Sequence, residues 1–197
     1  CNRQVITHFV RVAFNEVFKN HDLELKLLYD VAHNIAKVEK HMVNGKIKNL
    51  LVHRKGATRS FGPGSNDIPE KYRQVGQPVI IGGSMGTASY ILIGTQGADK
   101  LTFGSTCHGA GRVMSRSKGK REISAKQVAA DLAAKGIELV AASKDTILEE
   151  APETYKDIEQ VVNACKTVNI SQKVARLVPL GVIKGWIYLD SCILIIK

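Results

Sequence analysis

The segment AKVEKHMVNGKIKNLLVHR, residues 36–54, gives the clearest indication of the fold. Asn44-Gly45 stands between two runs in which apolar and polar residues alternate. This dipeptide between alternating runs is the strongest short signal for a two-residue type I′ turn. We therefore predict a β-hairpin with one strand on each side of Asn44-Gly45.

Outward from the hairpin, the sequence predicts more strands and several helices. The apolar runs that we interpret as strands are residues 23–31, 78–81, 90–95, 137–142 and 174–185. The predicted helices are residues 5–18, residues 124–136 with a capping box at Ser124 and Gln127, and residues 152–168. Because strands and helices do not alternate regularly, we predict an α+β fold with mixed or antiparallel sheets, hairpins and flanking helices. A doubly wound parallel sheet is disfavoured.

Composition favours an anionic partner and a reducing compartment. The 197 residues carry a net charge of +10, which favours nucleic acid, a nucleotide or a membrane surface as partner, although solubility alone explains it too. The four cysteines are scattered without CxxC spacing, so we expect free thiols and a cytoplasmic location. The apolar C-terminal run is interrupted by Asp190 and is shorter than the roughly 20 residues that span a bilayer. The uncapped first helix and the initial Cys1 indicate a fragment of a longer protein.

The segment STCHGAGR, residues 105–112, carries the most chemistry. Glycine amides can converge on an anion, and Arg112 can bind phosphate oxygens through two hydrogen bonds. His108 beside such an anion is a candidate nucleophile for phosphorus. Two other interpretations stay open, namely a soft-metal site at Cys107 or His108, and an ordinary histidine beside a tight turn.

Three further segments could contribute to an anion site. GGSMGTAS, residues 82–89, lacks the Walker lysine but could form a phosphate-binding concavity, or simply a turn. In DVAHN, His33 could be a metal ligand or a structural histidine, and Asn34 could donate to a phosphate. The glycine-rich, basic loop at residues 54–70 is too long for a simple connection, so it is functional, mobile or a solvated surface loop. The basic residues that could hold a polyanion, or form a solvated face, are Arg54, Lys55, Arg59, Arg112, Arg116, Lys118, Lys120 and Arg121.

Six sequence blocks together resemble a known family. These blocks, in chain order, are YDVAHN, LLVHRKGATR, GQPVIIGGSMGTASYIL, TFGSTCHGAGRVMSR, EEAPETYKDI and GVIKG. They resemble the C-terminal portion of the RtcB-type RNA-splicing ligases. The resemblance covers residues 1–185, which we predict to be that portion of the catalytic domain, with the corresponding part of the RtcB fold. Residues 186–197 form an apolar tail that departs from the family pattern.

The resemblance implies a specific reaction. Family members use GTP and two Mn²⁺ ions to join an RNA 3′-phosphate or 2′,3′-cyclic phosphate to a 5′-hydroxyl, through a histidine–GMP intermediate. His108 would be the nucleophile and His33 a Mn²⁺ ligand, with Cys107 a neighbour and not a ligand. The implied nucleotide-binding residues are Asn34, Ser84, Ser89, Gly109, Ala110, Gly111, Tyr155 and Lys184. Lys55, Arg112 and Arg116 would contact RNA, and Lys184 would donate to guanine O6.

The departures from the family pattern limit what we expect of this chain. The other metal ligands of the family, an aspartate, a cysteine and two histidines, lie upstream of Cys1. We therefore expect that the chain alone does not ligate RNA and that guanylylation of His108 is severely weakened. The expected RNA is a pair of tRNA halves or a broken RNA, with archease as a possible helper. The alternatives are a non-catalytic RNA-binding remnant and, ranked last for lack of a carboxylate cluster, a metal-dependent nucleotide hydrolase.

Overall fold

The computed structural model of the chain describes residues 2–19, 24–189 and 192–196. The α-helices are α1 (Asn2–Phe18), α2 (Gln96–Leu101), α3 (Arg116–Glu122), α4 (Ala125–Ala134), α5 (Lys144–Glu149) and α6 (Ile158–Thr167). The strands are β1 (Asn34–Val43), β2 (Lys46–Lys55), β3 (Ala57–Arg59), β4 (Pro78–Ile81), β5 (Ser89–Gly94), β6 (Ser105–Cys107), β7 (Glu138–Ala141), β8 (Ser171–Leu177), β9 (Gly181–Leu189) and β10 (Cys192–Ile196). This mixture of helices and small, mostly antiparallel sheets confirms the predicted α+β class.

The chain divides into two compact units. The first unit contains residues 1–28, 116–150 and 180–197, and the second contains residues 29–115 and 151–179. Within the described ranges, no helix is both long enough and apolar enough to cross a membrane.

The core of the second unit lies between a three-stranded sheet and helix α6. The sheet has the order β4-β5-β8 and is antiparallel throughout. Alternation along β5 buries Tyr90 and Leu92, since successive side chains of a strand point to opposite faces. The buried residues of α6 lie on one face of the helix and are Ile158, Val162 and Cys165. Full burial of a side chain such as Leu92 stabilises the fold by about 1.5–3 kcal/mol.

The hairpin predicted around Asn44-Gly45 is confirmed. Strands β1 and β2 pair antiparallel over their whole length, from Val43 opposite Lys46 to Asn34 opposite Lys55. Asn44 and Gly45 both have positive φ angles, 51° and 75°, as a type I′ turn requires. One face of the hairpin carries buried charged side chains. The large apolar residues exposed on the hairpin are Val38, Met42, Ile47 and Leu51.

The first unit contains the other three-stranded sheet, in which β9 pairs parallel with β7 and antiparallel with β10. Helix α4 starts as predicted, because the Ser124 hydroxyl accepts a hydrogen bond from the Gln127 amide at 3.4 Å. The Gln127 side chain donates instead to Asp131, so only one half of the predicted capping box is formed in this way. Gly136 follows the helix with a φ of 70°, as expected for a glycine that ends a helix.

The strand predicted at residues 23–31 is wrong over its described part, residues 24–31. This segment forms neither a helix nor a strand, and Leu27 and Leu28 are exposed. The apolar residues of this run are thus not evidence of a buried strand, because in the described ranges the run pairs with no strand of any sheet. His33 consequently lies just before β1 and not at the end of a preceding strand.

Two predicted elements are interrupted. The helix predicted from Pro152 to Val168 is a 3₁₀ turn, Pro152–Thr154, followed by α6, whose start is capped by the Asp157 carboxylate. The single strand predicted at residues 174–185 is split between β8 and β9 on either side of Pro179. Proline has no amide hydrogen to donate to a sheet, which explains why the ladder stops there.

The loop predicted at residues 54–70 is shorter than expected. Its first residues belong to β2 and β3, so the irregular part begins at Ser60. Phe61 and Ile68 are buried, and the Phe61 amide donates to the Gln77 side chain at 3.2 Å. The buried side chains of Phe61 and Ile68 therefore pack the loop against the rest of the second unit, to which it belongs.

Candidate active site

Two imidazole rings stack at the centre of the site in the second unit. The rings of His33 and His108 lie with their centroids 4.5 Å apart and their planes 17° from parallel. His108 directly follows β6, which pairs with β3 so that Cys107 lies opposite Ala57. Next to β3, the Gly56 amide donates to the His33 carbonyl at 3.0 Å. Short strand pairing and one turn therefore bring together two histidines that are far apart in sequence.

The surroundings of His108 favour its neutral form. Partial desolvation lowers the pKa of His108 below its ordinary value, and the neighbouring His33 lowers this pKa further. The His108 side chain still remains exposed to solvent. A neutral imidazole carries the lone pair that a nucleophile needs, so at neutral pH His108 is ready to attack an electrophile such as phosphorus.

The two glycine loops run side by side next to His108. The Gly82 amide donates to the His108 carbonyl at 3.3 Å, and the Ala110 amide donates to the Gly82 carbonyl at 2.9 Å. Gly82 and Gly109 thus form an isolated parallel bridge. A Cβ atom added at Gly82 or at Gly111 would meet no other atom within 4 Å. The two loops are therefore bridged beside His108 and are uncrowded at Gly82 and Gly111.

The hydroxyl groups of the first glycine loop hold the loop itself. The Thr87 hydroxyl oxygen accepts from the Ser84 amide at 2.8 Å, and the two hydroxyls of Ser84 and Thr87 are 3.0 Å apart. The Ser89 hydroxyl accepts from the Gly83 amide at 3.3 Å. Ser84 and Ser89, both predicted to bind nucleotide, therefore have a structural role in shaping the loop in addition to any role toward a ligand.

Arg112 and Tyr155 form a pair that the sequence did not predict. The Arg112 guanidinium lies over the Tyr155 ring, 5.0 Å from its centroid, and donates to the Tyr155 hydroxyl at 3.3 Å. Their backbones also form an antiparallel bridge. Arg112 donates in addition to the Met114 carbonyl at 3.0 Å. The end of the second glycine loop is therefore fixed to the segment that contains Tyr155.

Asn34 and Lys55 lie directly opposite each other where the hairpin strands end. They line an open depression of about 300 Å³ together with residues 35, 36, 53 and 54. Both side chains are exposed, and both belong to the same unit as His33 and His108. The predicted phosphate contact of Asn34 and the predicted RNA contact of Lys55 are thus located at one end of the hairpin.

Two predicted site residues belong to the first unit. Arg116 begins α3 and is exposed, and its Nε lies 3.5 Å from a carboxylate oxygen of Glu149. Lys184 pairs with Ala141 in the sheet register, and its side chain lies outside the described part of the structure. Their predicted contacts with RNA and guanine stay predictions.

A buried ion-pair network beside the site was missed by the sequence analysis. Arg54 donates to both carboxylate oxygens of Glu39, at 2.8 and 2.7 Å, and all but a few per cent of both side chains is buried. His41 lies 3.1 Å from the same carboxylate. Burial alone would raise the pKa of Glu39, but hydrogen bonds from Arg54 and His41 outweigh burial and lower this pKa. Glu39 is therefore an anion at neutral pH.

The same arginine positions the strand that leads to His108. Arg54 donates to the Ser105 hydroxyl at 2.8 Å and to the Phe103 carbonyl at 2.8 Å, just before and within β6. Alternation in the hairpin does place Glu39 and His41 on one face, so charges at two alternate positions were the available signal. The alternation does not reveal that Arg54 contacts Ser105, because Ser105 lies far along the chain from the hairpin.

The described residues do not fit a two-ion manganese site. Among residues 2–19, 24–189 and 192–196, no group of three or more His, Cys, Asp or Glu side chains is placed to hold a metal ion. His33 has His108 beside it, but a stable metal centre needs more donors than these two rings provide. The prediction that His33 is a metal ligand is therefore not tested by this part of the chain alone.

Comparisons with known proteins identify the family. The sequence profile of the family described as tRNA-splicing ligase RtcB matches residues 1–185. Proteins named tRNA-splicing ligase RtcB from Archaeoglobus fulgidus and Methanococcus maripaludis are 56% and 55% identical to the chain, over 94% and 93% of its length. The protein of the same name from Pyrococcus horikoshii is 54% identical over 93% of the chain. The chain spans 39% of the length of the first two relatives and 22% of the third.

Proposed function

Since this chain belongs to the RtcB family of tRNA-splicing ligases, we propose that it supplies the nucleotide-transfer residues of a GTP-dependent RNA ligase. The ligase would join an RNA 3′-phosphate or 2′,3′-cyclic phosphate to a 5′-hydroxyl, as tRNA splicing and RNA repair require. The observation that supports this proposal is the placement of His108, whose pKa is lowered by partial desolvation and by His33 and which lies beside two bridged glycine loops.

In the proposed first step, a nitrogen of the His108 imidazole attacks the α-phosphorus of GTP. A nitrogen–phosphorus bond forms, and pyrophosphate leaves. An oxygen of the RNA 3′-phosphate then displaces the histidine from phosphorus and takes the guanylyl group. The RNA 5′-hydroxyl finally attacks the activated 3′-phosphate and releases GMP. The guanylyl step is needed because a phosphate monoester is a poor electrophile without a good leaving group.

The residues around His108 would bind and orient the nucleotide. Backbone amides of Gly109 and Gly111 would face the phosphate, as glycine-rich concavities do for anions, while Ala110, whose amide donates to the Gly82 carbonyl, would hold the loop around the guanylate. In this proposal, Tyr155 and Lys184 face the guanine base, and Ser84 and Ser89 line the pocket. The Arg112 pairing with Tyr155 would couple the phosphate end of the pocket to the base end.

The RNA would be held by two exposed cations, one half-buried cation and a polar group. We propose that Lys55, Arg112 and Arg116 contact RNA phosphates, and that Asn34 contacts a nucleotide phosphate. Lys55 and Asn34 are opposite each other, so one backbone oxygen of RNA could lie near both. The substrates would be tRNA halves or broken RNA in the cytoplasm, where free thiols persist, with archease as a helper.

The described residues do not fit the two-Mn²⁺ site that the family implies. We therefore propose that the isolated chain does not join RNA. Its basic residues would still bind RNA, which makes a non-catalytic RNA-binding module the second candidate function for the chain in isolation.

A graft tests the proposed function. Residues 1–185 replace the matching segment of the Methanococcus maripaludis relative, to which they are 55% identical, and the graft is incubated with α-³²P-labelled GTP and Mn²⁺. We expect acid-labile label and RNA joining, and both should be lost in His108→Ala. The control is His8→Ala, an exposed histidine on α1, which should keep both activities. Labelling that survives in His108→Ala would exclude His108 as the nucleophile.

The isolated 197 residues provide the complementary measurement. We expect RNA binding that weakens as salt rises, with no joined product. GTP-dependent joining by this chain alone would overturn the proposal that it is inactive by itself.

A further inference from the structure

A pair of thiols lies directly beside the candidate nucleophile and has no role in the proposed transfer. The sulfur atoms of Cys107 and Cys165 are 3.5 Å apart, and both cysteines are free. Cys107 immediately precedes His108 and is half-buried, whereas Cys165 is buried in α6. The Thr106 hydroxyl also lies 3.6 Å from the Cys165 sulfur.

The two sulfur atoms are close enough to approach disulfide bonding distance. A disulfide bond is about 2.05 Å long, so the sulfurs need to approach by only about 1.5 Å. Cys165 belongs to the hydrophobic core cluster, and Cys107 packs against the same cluster. The core packing therefore keeps the two side chains next to each other. Thiols that meet by chance at the surface have no such fixed arrangement.

The closure would be transmitted to His108. Cys165 is held in a ten-residue helix whose face is anchored by Ile158 and Val162. Cys107 instead ends the three-residue strand β6, which pairs only with the equally short β3 among the described strands. The less anchored element yields first, so formation of the bond should move Cys107 and the adjoining His108 backbone.

We propose that Cys107 and Cys165 form an oxidation site, at which a peroxide produces a disulfide that displaces the His108 ring from its stack on His33. One thiolate attacks a peroxide oxygen and becomes a sulfenic acid, with release of water from hydrogen peroxide. The other sulfur attacks the sulfenic sulfur and releases a second water. In total, two thiols are oxidised to one disulfide, and one hydrogen peroxide is reduced to two waters.

The oxidation itself does not depend on the proposed function, but its consequence for nucleotide transfer does. If His108 accepts the guanylyl group, a disulfide at the preceding residue would stop the transfer reversibly. A reductant would restore the thiols and, with them, the position of the imidazole.

The test uses the full 197-residue chain with Cys1→Ser and Cys192→Ser, so that Cys107 and Cys165 are the two remaining thiols. Hydrogen peroxide is added in stoichiometric steps without nucleotide, and intact mass, free thiols and cross-linked peptides are measured. We expect loss of both thiols, a mass decrease of about 2 Da, a peptide linking residues 107 and 165, and reversal by dithiothreitol. A mass increase of about 16 or 32 Da without a cross-link, or a link between two chains, would overturn the proposal.

Two single variants and one spectroscopic signal complete the test. In Cys165→Ser and in Cys107→Ser, the remaining thiol should be over-oxidised and no cross-link should form within the chain. The His108 imidazole signal in an NMR spectrum should shift when the parent protein is oxidised and return on reduction. An unchanged His108 signal in the cross-linked protein would overturn the displacement. If a single variant fails to fold by circular dichroism, the parent protein still decides the question.

Discussion

The imidazole ring of His108 stacks on that of His33 at a centroid distance of 4.5 Å, although the two residues are far apart along the chain. Partial desolvation opposes protonation of His108, and the neighbouring His33 opposes it further. The stack therefore links the position of the ring to its protonation state.

The first prediction concerns the pKa of His108 in the metal-free chain. Desolvation and His33 lower this pKa, so an NMR titration should place it below the ordinary value of about 6.5. His33→Ala removes the neighbouring ring and should move the pKa of His108 back toward that value. The His108→Asn spectrum identifies the signal. Equal midpoints in the two proteins would show that His33 does not influence His108.

The same shift has a consequence for stability. Because the folded pKa of His108 is lower than its unfolded pKa, the unfolded chain binds more protons. The contribution of His108 to the free energy of unfolding is present above the pKa of about 6.5 in the unfolded chain. It is lost as the pH falls through the pKa of His108 in the folded chain. Urea unfolding of the wild type, compared with His108→Asn between pH 8 and pH 5, should show the wild type losing more stability toward acid. A parallel pair of curves would contradict this sign.

Loss of the arginine of the buried pair should be costly. Arg54→Met leaves the Glu39 carboxylate buried without its main partner, so we expect a destabilisation of about 3–5 kcal/mol in urea unfolding. The double variant Glu39→Leu/Arg54→Met removes both charges and should lose less than the sum of the two single variants. Additive losses would mean that the two side chains do not stabilise each other.

Asp99 should reduce stability at neutral pH. Burial raises the pKa of Asp99, with the hydrogen bond from the Gly62 amide only partly opposing this effect. The folded protein therefore accommodates the protonated carboxyl group of Asp99 better than the carboxylate. The favourable contribution of Asp99 to stability is lost as the pH rises through its pKa in the folded state. Asp99→Asn should therefore raise the melting temperature at pH 7, with a gain that disappears near pH 3.

The matched control for Asp99 is Asp131→Asn on the exposed face of α4. It changes the net charge equally but removes an exposed carboxylate and not a half-buried one, so it should not raise the melting temperature at pH 7. An equal gain in both variants would assign the effect to net charge and not to the environment of Asp99.

The hairpin turn should depend on its glycine for backbone reasons alone. Gly45 has a φ of 75°, and a Cβ added there would meet no atom within 4 Å. Gly45→Ala should therefore cost about 1–2 kcal/mol, the strain of a left-handed conformation, without any clash. Lys46→Ala, the next residue and part of β2, is the control and should cost much less.

What the sequence predicted well was local. The Asn44-Gly45 turn, the strands before and after the first glycine loop, and the start of α4 all depend on residues within a few positions of each other. Each of these signals acts through the backbone of its own segment, so no knowledge of the tertiary structure was needed.

What the sequence did not predict depends on distant partners. The stack of His33 on His108 and the contacts of Arg54 with Glu39 and Phe103 arise only when separate segments meet. The strand predicted at residues 23–31 failed for the same reason, since an apolar run becomes a strand only when another strand is available to pair with it. The family resemblance assigned roles to residues, but it did not assign these contacts.

The backbone bridge between Gly82 and Gly109 connects the two glycine loops, so the position of one loop depends on the position of the other. An insertion or deletion on either side of this bridge would shift both loops at once. Libraries for directed evolution of this site should therefore vary the two loops jointly and keep their lengths constant, because a change in one loop alters the position of the other.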